Sequence, residues 1–185
     1  MSFLVRILKL LLVLLVLAVV VLWFAAHRAD RGYIEEQVTI DRPAPAVFRW
    51  ITTDELLRRW ISDLVKLERA GGSGTAQALN YSYVLEENID GQRAVLSIRI
   101  IRAVPNQEID LAISPTEQSS SRFISTANFK LYPSGDYTRV VFTAQTNFLD
   151  ATDQIFEPIL TIAMRRKLQE DLTRLKLMME AEPAK

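Results

Sequence analysis

A chain of 185 residues holds one ordinary domain plus a short appendage and is too short for two full-sized domains. Its 22 basic and 22 acidic residues cancel, which argues against nucleic-acid binding, because a phosphate-tracking surface needs a basic excess. With no cysteine and a single histidine, His27, the sequence excludes disulfides, thiolate metal sites, thiol nucleophiles and a Ser-His-Asp triad.

The first element is apolar. Leu10 to Ala26 reads LLLVLLVLAVVVLWFAA without a polar group, and Ile7 and Leu8 extend the run if Lys9 snorkels. Twenty helical residues at about 1.5 Å each match the ~30 Å hydrocarbon core of a bilayer, so residues 7–26 are expected to form a transmembrane helix behind a short tail, 1–6. A soluble helix would show a polar face, and this one shows none. Arg6 and Lys9 also suit the charged start of a signal peptide. The exit, however, lacks a small-x-small cleavage site, with Phe24 and His27 at the positions that matter, so the segment reads as an uncleaved anchor. His27 falls at headgroup level. Arg6 and Lys9 on one side oppose Arg28 and Arg31 on the other; the short, acid-free N-terminus puts the domain on the outer or periplasmic face.

A tether, 27–32, leads into Tyr33–Asp41, where Ile34, Val38 and Ile40 share one parity, as in a half-buried strand. DRPAPAVFRWI, with prolines suited to a helix entry, and TTDELLRRWI, with Thr53 or Asp54 as cap, give two short helices. Strand-like segments follow at Leu64–Arg69, Gln77–Glu86, Arg93–Arg102, Glu108–Ser114, Arg122–Tyr132 and Thr138–Phe148. Turn signals at GGSG, Asn88-Ile-Asp-Gly, Pro105-Asn106 and Pro133-Ser-Gly-Asp separate them. Such short connections imply an antiparallel sheet.

Alternation assigns inner faces to Leu79, Tyr81, Tyr83 and Leu85, to Ala94, Leu96, Ile98 and Ile100, and to Ile109, Leu111 and Ile113, with the charges on the outer positions. The last two strands turn Phe123, Ser125, Ala127, Phe129 and Leu131, then Val140, Phe142, Ala144, Thr146 and Phe148 inward. Those inward small residues leave space for a packed helix or a ligand. From about Asp153 a helix carries the stripe Leu160, Met164, Leu168, Leu172, Leu175 and Met179, which must lie across the sheet. Pro158 marks its first turn or a kink, RRKLQED reads as its solvated face, and AEPAK as a frayed tail.

The order strand, two short helices, six strands and one long helix resembles the helix-grip fold of the START-like, Bet v 1-like or polyketide cyclase/dehydrase superfamily. VTIDRPAPAVFRWITTDELLRRWISDLVKLE looks like its opening, GGSGT like its glycine turn, IIRAVPNQEIDLAI and FKLYPSGDYTRVVFT like two of its hairpins. The resemblance spans about Tyr33 to Glu180 and implies an α+β class: a curved antiparallel sheet of about seven strands gripping a long C-terminal helix. It also implies a hydrophobic cavity serving ligand binding, cyclisation or protein association. The N-terminal anchor departs from the usual soluble form.

Carboxylates, tyrosines and arginines are the remaining chemistry. Glu36 shares the inward parity of its strand, where a desolvated carboxylate is a candidate base or a wet strand end. Tyr81 and Tyr83 offer hydroxyls to a ligand's polar head or simply fill the core, and Trp60 either closes a cavity mouth or plugs the core. The expected pocket wall is Trp60, Tyr81, Tyr83, Phe123, Phe129, Phe148, Phe156, Leu160 and Met164, with no metal, no cofactor and no assigned catalytic residue. GGSG lacks the Lys-Ser/Thr of a phosphate loop. Three functions fit: a membrane-tethered domain binding a lipid or other hydrophobic small molecule, an accessory subunit of a membrane protein complex, and a cyclase- or dehydratase-type enzyme. The lipid bilayer itself is the first expected partner.

Overall fold

The structure, a computed structural model, describes residues 2–26, 31–71, 82–89, 92–117 and 122–182. The chain forms two compact units, Met1–Arg31 and Gly32–Lys185. The first is the helix α1, Ser2–Ala26. Its described side chains, at residues 6–17, 19 and 20, are exposed. Among the described residues, no helix is long and apolar enough to cross a membrane.

The second unit runs β1 (Tyr33–Ile40), α2 (Ala44–Thr52), α3 (Asp54–Trp60), β2 (Leu64–Gly71), β3 (Ser82–Ile89), β4 (Gln92–Val104), β5 (Glu108–Pro115), β6 (Phe123–Ser134), β7 (Tyr137–Phe148) and α4 (Ala151–Ala181). The strands form one antiparallel sheet in the order β1-β7-β6-β5-β4-β3-β2. Five sequence-adjacent strand pairs plus the return of β7 to β1 give the α+β, helix-grip layout expected from the turn spacing. Ladder irregularities at Leu64/Lys66 and Arg69/Gly71 in β2, and at Ile100/Arg102 in β4, bend the sheet, because an extra residue on one strand tightens its local twist.

Pro43 and Pro45 start α2, where a missing N–H costs nothing, and Ala44, Val47, Phe48, Trp50 and Ile51 form its buried face. Thr53 occupies the N-cap of α3, but its side chain makes no capping bond, contrary to the expected cap; its carbonyl instead accepts from the amides of Leu56 and Leu57. These two helices close one end of the sheet. There Trp50, Trp60, Leu67, Leu85, Ile100, Ile109, Phe129, Leu131 and Val140 pack with Leu172, Leu175 and Met179 of α4 into the main apolar cluster. Such interdigitated packing is the main favourable term for a domain of this size.

Helix α4 lies against the β1 edge, and its side chains bond the backbone there. Glu157 Oε1 accepts from Gly32 N at 2.7 Å, Lys176 Nζ donates to Thr39 O at 2.7 Å, and Glu180 Oε1 accepts from Asp41 N at 2.9 Å. Arg42 closes the far end by donating to the carbonyls of Glu180 (3.1 Å) and Glu182 (2.5 Å), groups that a helix C-terminus leaves unpaired. Pro158 lies inside α4 rather than at its start. The run RRKLQED is not wholly a solvated face. Arg165 and Arg166 are exposed, but Asp171 is buried, accepting from Ser62 N (2.7 Å), Ser62 Oγ (2.6 Å) and Lys167 Nζ (2.8 Å).

Most inner-face assignments agree with the observed burial, with one exception. Val95, of outward parity, is 5% exposed, and its carbonyl accepts from Thr116 N. Of the expected elements, the tether residues 27–30 with His27, the start of the Gln77–Glu86 strand with Leu79 and Tyr81, residues 72–74 of the glycine turn and the last residues 183–185 lie outside the described residues.

Candidate functional site

The concave face of the sheet has two unlike ends. At the α2–α3 end large side chains meet and bury one another. Toward the start of α4 the inward positions become small or polar: Ser125 and Ala127 on β6 pair in register with Thr146 and Ala144 on β7. All four are nonetheless covered, at 2–6% exposure, so short side chains here lie under larger neighbours. The two hydroxyls satisfy each other, Thr146 Oγ1 donating to Ser125 Oγ at 3.0 Å, and both are buried.

The apolar neighbours of this region are incompletely covered. Leu96 and Ile98 on β4, Leu111 and Ile113 on β5, and Phe142 on β7 share the inward parity of the buried Ile100, Ile109 and Phe129, yet each stays half-buried. Leu96, Ile98, Leu111 and Phe142 pack against the main apolar cluster while keeping part of their surface accessible.

One charged pair borders the region. Glu36 on β1 has the expected inward parity, and its Oε1 lies 3.6 Å from Arg165 Nε on α4, with side-chain exposures of 18% and 46%. Glu36 thus takes part in an ion pair at the border of the face, with a half-exposed partner, in keeping with a wet strand end. About two turns earlier on α4, Glu157 is buried with Oε1 bonded to Gly32 N and to Thr161 Oγ1 at 2.9 Å. On the outer side of β1, Tyr33 donates to Glu35 at 2.5 Å, and that bond first, then desolvation and the Glu35 charge, raise the tyrosine above its ordinary pKa of 10.0. Among the described residues no three His, Asp or Glu groups are placed to share a metal ion.

The expected wall residues divide. Leu160 and Met164 are half-buried on α4. Phe148 is buried against Phe123, edge to face at 6.1 Å, and Phe129 against Phe142 at 4.7 Å, which places Phe129 in the main cluster. Trp60 is core: it is 4% exposed, and its Nε1 donates to Trp50 O at 3.2 Å. Trp60→Phe should therefore cost ~1–2 kcal/mol, read by urea unfolding, by leaving a buried carbonyl without its donor. Phe156 does not line the face; it is 51% exposed, because the inward position of that turn belongs to its neighbour Glu157. Tyr81 and the side chain of Tyr83 lie outside the described residues. Sequence reasoning missed Arg165 and Glu157. Arg165 follows inward-leaning Met164 and borders the apolar stripe, a signal hidden by the surrounding run of charges.

A seven-stranded antiparallel sheet with one long C-terminal helix packed on it defines a helix-grip domain. The model of the family described as polyketide cyclase / dehydrase and lipid transport matches residues 32–180, and the chain belongs to that family. Among solved structures it is similar to the Zhui aromatase/cyclase of a Streptomyces species (16% identity, TM-score 0.66, covering 80% of this chain and 93% of that one). It is similar also to a START superfamily protein of Mycobacterium smegmatis (15%, 0.65, 80% and 97%) and to a protein of Rhizobium loti (22%, 0.56, 77% and 95%). At these identities the likeness is one of fold. No curated protein matches.

Proposed function

We infer that the protein is a membrane-tethered START-like domain that holds a lipid or other hydrophobic small molecule between the concave face and α4. The observation that carries this reading is the set of inward apolar side chains, Leu96, Ile98, Leu111 and Ile113, left half-buried beside the small pairs Ser125/Thr146 and Ala127/Ala144. An apolar wall with few polar groups at its border is the usual make-up of a small-molecule site. Glu36 and Arg165 would meet the ligand's polar end. The name of the family, which includes lipid transport, supports the same ligand class.

Support for the tether comes from the sequence, which runs without a polar group from Leu10 to Ala26. In this reading the domain works on the outer or periplasmic side.

The test is native mass spectrometry of the full chain, purified in mild detergent from cells. A reproducible bound hydrophobic mass is the expected result; a protein consistently free of any adduct would sink the reading. Ile98→Trp sharpens it. If the space beside Ile98 is open, the indole fills it, the bound mass disappears and the melting temperature barely moves. If the space is already packed, the same change should cost ~1–3 kcal/mol through overpacking.

A further inference from the structure

The outward side of α4 carries a second apolar surface, which the binding face does not use. Ile155, Ile159 and Ile162, spaced four and three residues apart, fall on one stripe of the helix and are 64%, 64% and 66% exposed. Phe156 at 51% and Leu149 at 50% widen it. A soluble helix normally puts polar residues there, as α4 itself does farther on with Gln169, Glu170 and Thr173. Contiguous exposed apolar patches of this kind mark interaction surfaces.

From this stripe we propose that the first half of α4 docks on the lipid bilayer surface, its isoleucines inserted at the level of the headgroups. The proposal rests on the reading of α1 as an anchor, because the path of the chain selects the occupant. Gly32 N is bonded to Glu157 on this same half of α4, and only residues 27–31 separate Gly32 from the end of α1. Five residues reach at most ~18 Å, and a helix is about 10 Å across, so a bilayer holding α1 lies within reach of the stripe. A second copy or a soluble protein would have to compete with a bilayer that the anchor keeps nearby. The charges around the patch are of both signs, the bases Arg122, Arg165 and Arg166 and the acids Asp150, Asp153 and Glu170. Docking is therefore driven by apolar insertion and should depend little on salt or on anionic lipid.

The chain has no cysteine, so single-cysteine variants take one label each. Ile159→Cys, Lys130→Cys on the convex side of the sheet and Val16→Cys in α1 are labelled with bimane. The full chain is then reconstituted into phosphatidylcholine vesicles with or without brominated acyl chains. The label at Ile159 is expected to lose most of its fluorescence to the brominated lipid, the label at Lys130 none. Docking is overturned if the Ile159 label stays bright while the Val16 label is quenched, a result that leaves the anchor intact. A bright Val16 label would instead remove the anchor, and the Ile159 label alone would then decide docking by adsorption, quenching sustaining it and brightness ending it. An unquenched Ile159→Cys that forms a disulfide between two copies would assign the stripe to self-association and overturn the proposal.

Discussion

Replacing Gly32 by alanine is expected to destabilise the domain by ~3–5 kcal/mol, combining the cost of a left-handed non-glycine residue with that of a forced backbone shift. Gly32 has φ +67°, and a Cβ built on it would stand 2.0 Å from the carbonyl oxygen of Thr146. No rotamer change relieves a clash with backbone. The strand end would have to move, and with it two bonds made by this one residue: its amide to Glu157 and its carbonyl to the amide of Thr146 at 2.9 Å. For a domain of this size the loss corresponds to roughly 10 °C in melting temperature. Gly135 supplies the comparison. It has φ +63° in the β6–β7 turn with nothing within 4 Å of a Cβ, so Gly135→Ala should cost only about 1 kcal/mol. Equal losses at the two sites, measured by thermal unfolding, would contradict the close approach at Gly32.

Asp171→Ala is expected to be comparably severe, ~3–5 kcal/mol, as for breaking a buried ion pair from one side. The carboxylate takes three bonds, two from Ser62 and one from Lys167, and the side chains of Lys167 and Asp171 are 14% and 10% exposed. Removing it leaves an ammonium in a low-dielectric setting facing Ser62, whose carbonyl (3.1 Å) and hydroxyl (3.4 Å) also accept from Lys167. The double variant Asp171→Ala with Lys167→Met should recover part of the loss, because an apolar pair needs no counter-charge. A double variant less stable than Asp171→Ala alone, by urea titration, would show that Lys167 contributes through other contacts. Both variants leave the concave face intact, so a bound hydrophobic mass should survive in whatever fraction remains folded.

The sheet was legible because a strand's period is two. Once Ile109, Leu111 and Ile113 were seen to alternate with charged or small neighbours, their face was determined, and the ladder from β4 to β7 carries that parity from strand to strand. The inner stripe of α4 was legible where it is apolar, at Leu172, Leu175 and Met179. It failed where the buried position is polar. Glu157 and Asp171 face inward because Gly32 and Ser62 await them, 125 and 109 residues away in sequence, and hydrophobic periodicity discards such positions. The same blindness put Phe156 on the wall in place of its neighbour Glu157. The Glu36–Arg165 pair was half legible: parity aimed the carboxylate inward, but its partner stands in a run of charges that resembles any solvated surface.

An open sheet ends in two strands whose outward amides and carbonyls can template another chain's strand. Here one of those edges is held at its ends by the domain's own helix. Lys176 on α4 engages Thr39 O on β1, and Glu157 and Glu180 engage Gly32 N and Asp41 N just beyond its two ends, so the helix braces that strand at both ends. At the opposite edge, the two irregularities of β2 and the exposed Lys66–Glu68 pair at 2.9 Å disturb the flat, regular backbone on which strand addition depends. Both edges thus carry features that work against edge-to-edge pairing, the helix at the ends of β1 and the broken register of β2.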